Sequence, residues 1–182
     1  FDLGAADYVT KPFSPQEVLA RVRAQLGMRR LTQSLTRANA ELLQKQERLG
    51  DELRAAAEMQ RAFLPAAQLT TDLIESGYLF QPSLEVGGDI FGIVPLPNGA
   101  LGAFIADVSG HGVASALLTM SLTQWLSSAS GLNRADGSPA PSQVLESLER
   151  AYPFERFGKY FSIAIALIDP VSGQIRYSAA GH

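Results

Sequence analysis

Two acidic residues sit where chemistry could be done. Asp89 follows the pair Gly87-Gly88, and Asp107 closes the apolar run from Ala100 to Ala106 and opens Asp107-Val108-Ser109-Gly110-His111-Gly112. A carboxylate is costly inside a half-buried strand, so each marks a place where a strand ends or bends. If the two apolar stretches pair antiparallel through Pro95-Leu96-Pro97-Asn98-Gly99, both carboxylates fall at one end of a sheet. Hard divalent cations are gathered from oxygen ligands in this way. Gly110 and Gly112 allow the backbone to approach whatever the acids hold. The competing reading is that both residues are turn or N-cap aspartates with no ligand at all.

The elements that must position these residues follow from pattern. A helix is expected after Gly112, with Ala114, Leu117, Leu118, Ser121, Leu122 and Trp125 facing the sheet, and Met120 and Trp125 as core candidates. Residues 130–142 read as a loop, with Ser142 capping a short helix from Gln143 to Ala151. Phe161, Ile163, Ile165 and Leu167 alternate with Ser162, Ala164, Ala166 and Ile168, and Asp169-Pro-Val-Ser-Gly173 turns the chain into Gln174–Ser178. That is a hairpin with one large-residue and one small-residue face. A further strand is expected near Tyr78-Leu79-Phe80, after a polar loop through Thr70-Thr71-Asp72. Consecutive strands with helices outside indicate an α+β fold.

Ahead of this half, Met28, Leu35, Leu42, Leu49, Ala56 and Phe63 recur every seventh residue in a stretch with no Pro before Pro65. Leu31, Ala38, Lys45, Glu52 and Met59 take the companion positions, so one seam is good and the other decays into charge. This reads as a weak coiled coil joining a homodimer, against the alternative of an amphipathic helix lying on its own domain. Further upstream, Gly4-Ala5-Ala6-Asp7 ends a helix and leads to a short strand at Tyr8-Val9. Ser14-Pro15-Gln16-Glu17 then starts a new helix as a capping box. This strand-loop-helix unit has no core of its own.

Composition excludes several classes. With 46% hydrophobic and 18% charged residues and a net charge of -3, the chain is an ordinary globular protein without the basic footprint of a nucleic-acid binder. Cysteine is absent, which removes disulfides, thiolate metal sites and a Cys nucleophile, and is compatible with a cytoplasmic location. No apolar run is long enough to span a membrane, so no membrane association is expected. The chain opens on Phe1 and stops on His182 directly after a strand-like run, and reads as an excerpt of a longer protein.

Val86-Gly-Gly-Asp89 and Asp107-Val-Ser-Gly-His-Gly112 together resemble the paired metal motifs of the bacterial metal-dependent (PPM, PP2C-like) serine/threonine phosphatases of the sporulation stage II E type. Glu58-Met-Gln-Arg-Ala-Phe-Leu-Pro65, Lys159-Tyr-Phe-Ser-Ile-Ala-Ile-Ala-Leu-Ile-Asp169 and Ala180-Gly181-His182 fit the same family in the same order. Gly-Gly-Asp also occurs in cyclic-dinucleotide synthases, but nothing around it here supports them. The resemblance implies an antiparallel β-sandwich flanked by helices over residues 65–182. It also implies two Mg²⁺ or Mn²⁺ ions held by Asp89, Asp107 and the Val108 carbonyl, with Gly88, Gly110, His111 and Gly112 supporting the site. His111 and His182 are expected to be structural rather than general acids. Where the family usually carries another acid, this chain has Gly92, and the family's later aspartates fall beyond His182. Gly4-Ala-Ala-Asp-Tyr-Val-Thr-Lys-Pro-Phe13 resembles the last strand and helix of an α/β response-regulator receiver domain. By that resemblance Lys11 is the switch lysine and the Lys11-Pro12 bond is cis.

The resulting layout is receiver tail over 1–27, coiled-coil linker over 28–64 and phosphatase domain over 65–182. The implied partners are an upstream sensor histidine kinase and a phosphorylated anti-sigma-factor antagonist. The helix would carry the receiver's phosphorylation state to the phosphatase domain. The alternative is an inactive phosphatase-like module serving as an adaptor or sigma-factor docking surface.

Overall fold

The computed structural model describes residues 6–65, 73–82, 85–96, 99–133 and 139–182. The Gly4-Ala5 signature, the loop through Thr70, Thr71 and Asp72, Pro97-Asn98 and the middle of the 130–142 loop lie outside them. The chain divides into two compact units, Phe1–Asp51 and Glu52–His182.

Within the first unit, α1 (Pro15–Ala62, continuing into the second unit) starts at the expected cap, the Glu17 N–H donating to Ser14 Oγ at 3.2 Å. The Lys11-Pro12 peptide bond is cis. Tyr8-Val9 is not a strand. This segment is held instead by side chains: Arg21 donates to both Asp7 carboxylate oxygens at 3.2 Å, and Gln25 Nε2 donates to the Ala6 carbonyl at 3.3 Å. The Tyr8 backbone N–H and Arg21 hold the Asp7 carboxyl below its usual range. No described residue of this unit is buried. The helix passes through Gly27 and Gly50 without a break, and the seam residues Met28, Leu31, Leu35, Leu42 and Leu49 are exposed along it.

In the second unit, four antiparallel strands form one sheet in the order β1-β2-β3-β4, namely Asp89–Pro95, Leu101–Val108, Phe161–Ile168 and Ile175–Ala180. The alternation read from the sequence decides its two faces. Ile90, Val94, Phe104, Ala106, Ile163, Ile165 and Leu167 point to one side and are buried there. That side is covered by α2 (Val113–Ser127) over β1 and β2, and by α3 (Pro141–Ala151) over β3 and β4, while α4 (Phe154–Phe157) is a single turn before β3. The expected hairpin is present, its turn closed by the Asp169 N–H donating to Gln174 O and the Gly173 N–H to Asp169 O, both at 2.9 Å.

The four described strands form one antiparallel sheet. Three expectations are corrected. Tyr78–Phe80 is not a strand; its rings lie on the sheet face opposite the helices, with Tyr78 at 4.5 Å and Phe80 at 6.1 Å from Phe91. Ser142 is not the cap of α3, which begins at Pro141 with Ala140 before it. The buried face of α2 is Ser115, Ala116, Leu118, Thr119, Leu122, Thr123 and Leu126, which leaves Leu117 exposed. The hydroxyls make this rotation cheap: Thr119 donates to Ala116 O at 2.7 Å, Thr123 to Thr119 O at 2.9 Å and Ser115 to Ser109 O at 3.2 Å. Satisfied in this way, they no longer favour water.

Candidate active site

Strand register brings the two acids together. Asp89, the first residue of β1, is the direct cross-strand partner of Asp107, the next-to-last of β2. Both side chains are exposed on the face away from α2 and α3. Directly opposed residues of an antiparallel pair have Cβ atoms about 5 Å apart, where two like charges repel. Asp107 in turn faces Ser162 across β3, so Asp89, Asp107 and Ser162 form a row along one end of the sheet. His182 joins that row, its Nδ1 lying 3.0 Å from Ser162 Oγ.

Three glycines make the approach possible. The Val108 N–H donates to the Gly88 carbonyl at 2.9 Å. A Cβ on Gly88 would collide with the Val108 carbonyl oxygen and come within 3.0 Å of Gly110 O. The Val108 oxygen can therefore lie beside the start of β1 only because residue 88 has no side chain. Gly110 and Gly112 both have φ of +82°, a conformation that L side chains rarely adopt, and with them the chain turns out of β2 into α2.

The loop from Val108 to Gly112 is braced from the start of β3. The Ser109 N–H donates to Tyr160 O at 2.8 Å, the Tyr160 N–H donates to Ser109 Oγ at 3.0 Å, and Lys159 Nζ donates to Ser109 O at 3.0 Å. Lys159 thereby sets a positive charge against the loop that follows Asp107. His111 is exposed and makes no hydrogen bond among the described residues. Lys11 is exposed in the first unit.

Gly92 receives a physical reason. It lies on the helix-covered face, opposite to that of Asp89, and a Cβ there would run into the Phe104 ring. In this register an acid at position 92 would point into the core, so Asp89 gains no acidic neighbour from it. Sequence reading missed Ser162 and Lys159 as site residues and gave His182 no place beside the acids. For Ser162, the small-residue face of β3 was the available signal.

The donor set is one of hard oxygens: two opposed carboxylates, with the Val108 carbonyl beside the turn that carries Asp89. Such donors fit Mg²⁺ or Mn²⁺ better than Zn²⁺. Among the described residues no third His, Asp or Glu groups with the pair, so the fit is to part of a ligand shell.

Residues 97–182 match the family described as Stage II sporulation protein E (SpoIIE). The match begins after Asp89 and includes Asp107, Ser162 and His182. Phosphoserine phosphatase RsbP of Bacillus subtilis (strain 168) is 29% identical over 136 residues, covering 72% of this chain and 32% of that protein. The SiaA-PP2C domain of Pseudomonas aeruginosa shares the fold with a TM-score of 0.61 at 28% identity, covering 74% of this chain and 55% of that one. The chain thus spans about a third of the curated relative and about half of the solved domain. Over the shared part the helix-and-antiparallel-sheet architecture is similar to that of the SiaA-PP2C domain, and the chain is similar in sequence to a phosphoserine phosphatase.

Proposed function

We propose that this protein is a metal-dependent phosphatase that removes phosphate from a serine or threonine of a partner protein. The observation that carries the reading is the direct opposition of Asp89 and Asp107 at one exposed sheet end. Two carboxylates held face to face raise the energy of the empty site, and cations relieve it. Asp89, Asp107 and the Val108 carbonyl would hold two Mg²⁺ or Mn²⁺ ions. Such ions supply Lewis acidity, activating water at neutral pH and drawing charge from phosphoryl oxygens. The chain's own part is positional. Gly88 lets the Val108 oxygen approach, and the Lys159 and Tyr160 bonds to Ser109 fix the loop behind Asp107, so the oxygen ligands need little rearrangement when ions arrive.

The similarity to RsbP supports a substrate class of phosphorylated anti-sigma-factor antagonist, in a partner-switching circuit with a sensor histidine kinase upstream. Residues 1–27 fit a receiver end, by the Gly4–Phe13 motif and the Ser14 cap, and the exposed seam of α1 fits a parallel homodimer. A cytoplasmic setting suits such a circuit, and among the described residues no helix is long and apolar enough to cross a membrane.

The test is hydrolysis of para-nitrophenyl phosphate by the protein with Mn²⁺, with EDTA and as Asp107→Asn. Turnover that requires the metal and falls at least about a hundredfold in the variant is the expected result. A folded protein with no metal-dependent turnover, or a variant with undiminished rate, would overturn the reading in favour of a docking module without catalysis.

A further inference from the structure

Gln60, in the last turn of α1, is 1% exposed. Its neighbours in the small cluster between α1 and α2 are apolar: Ala57, Val86 and Ala116. A buried primary amide is costly unless its polar atoms are bonded, and a leucine would fill this place without that demand. Gln60 instead makes three bonds with one amide. Nε2 donates to Gly87 O at 2.9 Å and to Thr119 Oγ1 at 3.0 Å, and Oε1 accepts from the Gly87 N–H at 3.2 Å. Both polar groups of one backbone residue are thus gripped by a single side chain, as a neighbouring strand would grip them.

The gripped residue is the one before Gly88. Gly88 O accepts the Val108 N–H, and the next residue along is Asp89. The Gly87-Gly88 turn is therefore held on one side by Gln60 and on the other by Val108. From this geometry we infer that Gln60 is a positioning residue: it fixes the turn that sets Asp89 opposite Asp107, and so tunes the affinity of that pair for a divalent cation. The affinity part rests on the metal-dependent reading above; the positioning part does not.

The experiment uses Gln60→Met, which keeps the shape and loses the bonds, beside Val144→Ala, a core variant in α3 remote from the turn. Amide hydrogen exchange at Val108 without metal reads the turn itself, and Mn²⁺ titration followed by electron paramagnetic resonance reads the acids. The expected result is at least about tenfold faster exchange at Val108 and at least about tenfold weaker Mn²⁺ binding in Gln60→Met. Val144→Ala should leave both near wild type while lowering the unfolding midpoint. Unchanged exchange at Val108 would overturn the inference, whereas wild-type protein that binds no Mn²⁺ would overturn the metal reading and leave the exchange result to judge Gln60. Should Gln60→Met not fold, Gln60→Glu carries the same measurements, and loss of fold in both would assign Gln60 to stability and overturn the positioning role.

Discussion

Replacing Gly88 by alanine tests the site's geometry at its tightest point. The new Cβ would meet two carbonyl oxygens, that of Gly110 at 3.0 Å and that of Val108 closer still. An ordinary contact is about 3.4 Å or more, so β1 and the end of β2 must separate by about 1 Å. Neither oxygen can swing aside, because both belong to the backbone. The separation also strains the Val108 N–H bond to Gly88 O, now 2.9 Å. Overpacking costs about 1–3 kcal/mol and a weakened buried bond about 1 kcal/mol more, giving a loss of about 2–4 kcal/mol. At about 2–4 °C per kcal/mol for a chain of this size, the midpoint of thermal unfolding should fall by about 5–15 °C. Because the displaced residue adjoins Asp89, a shift of this size should also lower Mn²⁺-dependent hydrolysis of para-nitrophenyl phosphate by about a hundredfold. The neighbouring Gly87→Ala is the control. Its Cβ would meet only Pro82 Cβ at 3.6 Å and the Asp89 nitrogen at 3.7 Å, and its φ is not positive, so stability should change by less than about 1 kcal/mol. Circular dichroism melts and the phosphate-ester assay decide it. Near-wild-type stability and rate in Gly88→Ala, or equal damage from Gly87→Ala, would refute the argument.

Gly92→Ala should lose about 1–3 kcal/mol in urea unfolding, because its Cβ enters the Phe104 ring, and adding Phe104→Leu should restore part of that loss. Simple additivity of the two variants would contradict this. Asp169 accepts from Ser172 Oγ and from the Val171 and Ser172 N–H groups, which hold its carboxyl below the ordinary 3.8. A depressed carboxyl favours the fold above its unfolded value, and that contribution disappears as pH falls through the lower folded value, so it is lost only below about pH 4. Carbon-detected titration should place Asp169 below 3.8, and Ser172→Ala should move it upward; an upward-shifted Asp169 in the wild type would be the wrong sign. Leu35 is 72% exposed in the middle of the α1 seam. If that seam joins two copies, Leu35→Glu should convert a sedimenting dimer to monomer at micromolar concentration, and a wild-type monomer would remove the coiled coil from the account.

Features that depend on neighbours along the chain are legible in the residues alone. The alternation of large and small residues in Phe161–Ile168 fixed which face of β3 is buried. The apolar runs on either side of the Pro95–Gly99 connection carried Asp89 and Asp107 to the same sheet end, since in an antiparallel pair the register follows from where the turn lies. The cap at Ser14 is equally local. Other features depend on partners far away in sequence and emerge only in the folded chain. The inward face of α2 could not be found by hydrophobicity, because Ser115, Thr119 and Thr123 satisfy their hydroxyls on backbone carbonyls and pack as apolar residues do. Gly92 looked like a missing acid until the register placed it under Phe104. Ser162 stands beside Asp107 only because β3 pairs with β2, His182 reaches Ser162 from the far side of β3, and Gln60 grips Gly87 across 27 residues of chain. Periodicity records how a residue meets water along its own element; it carries no record of which distant carbonyl will take its proton.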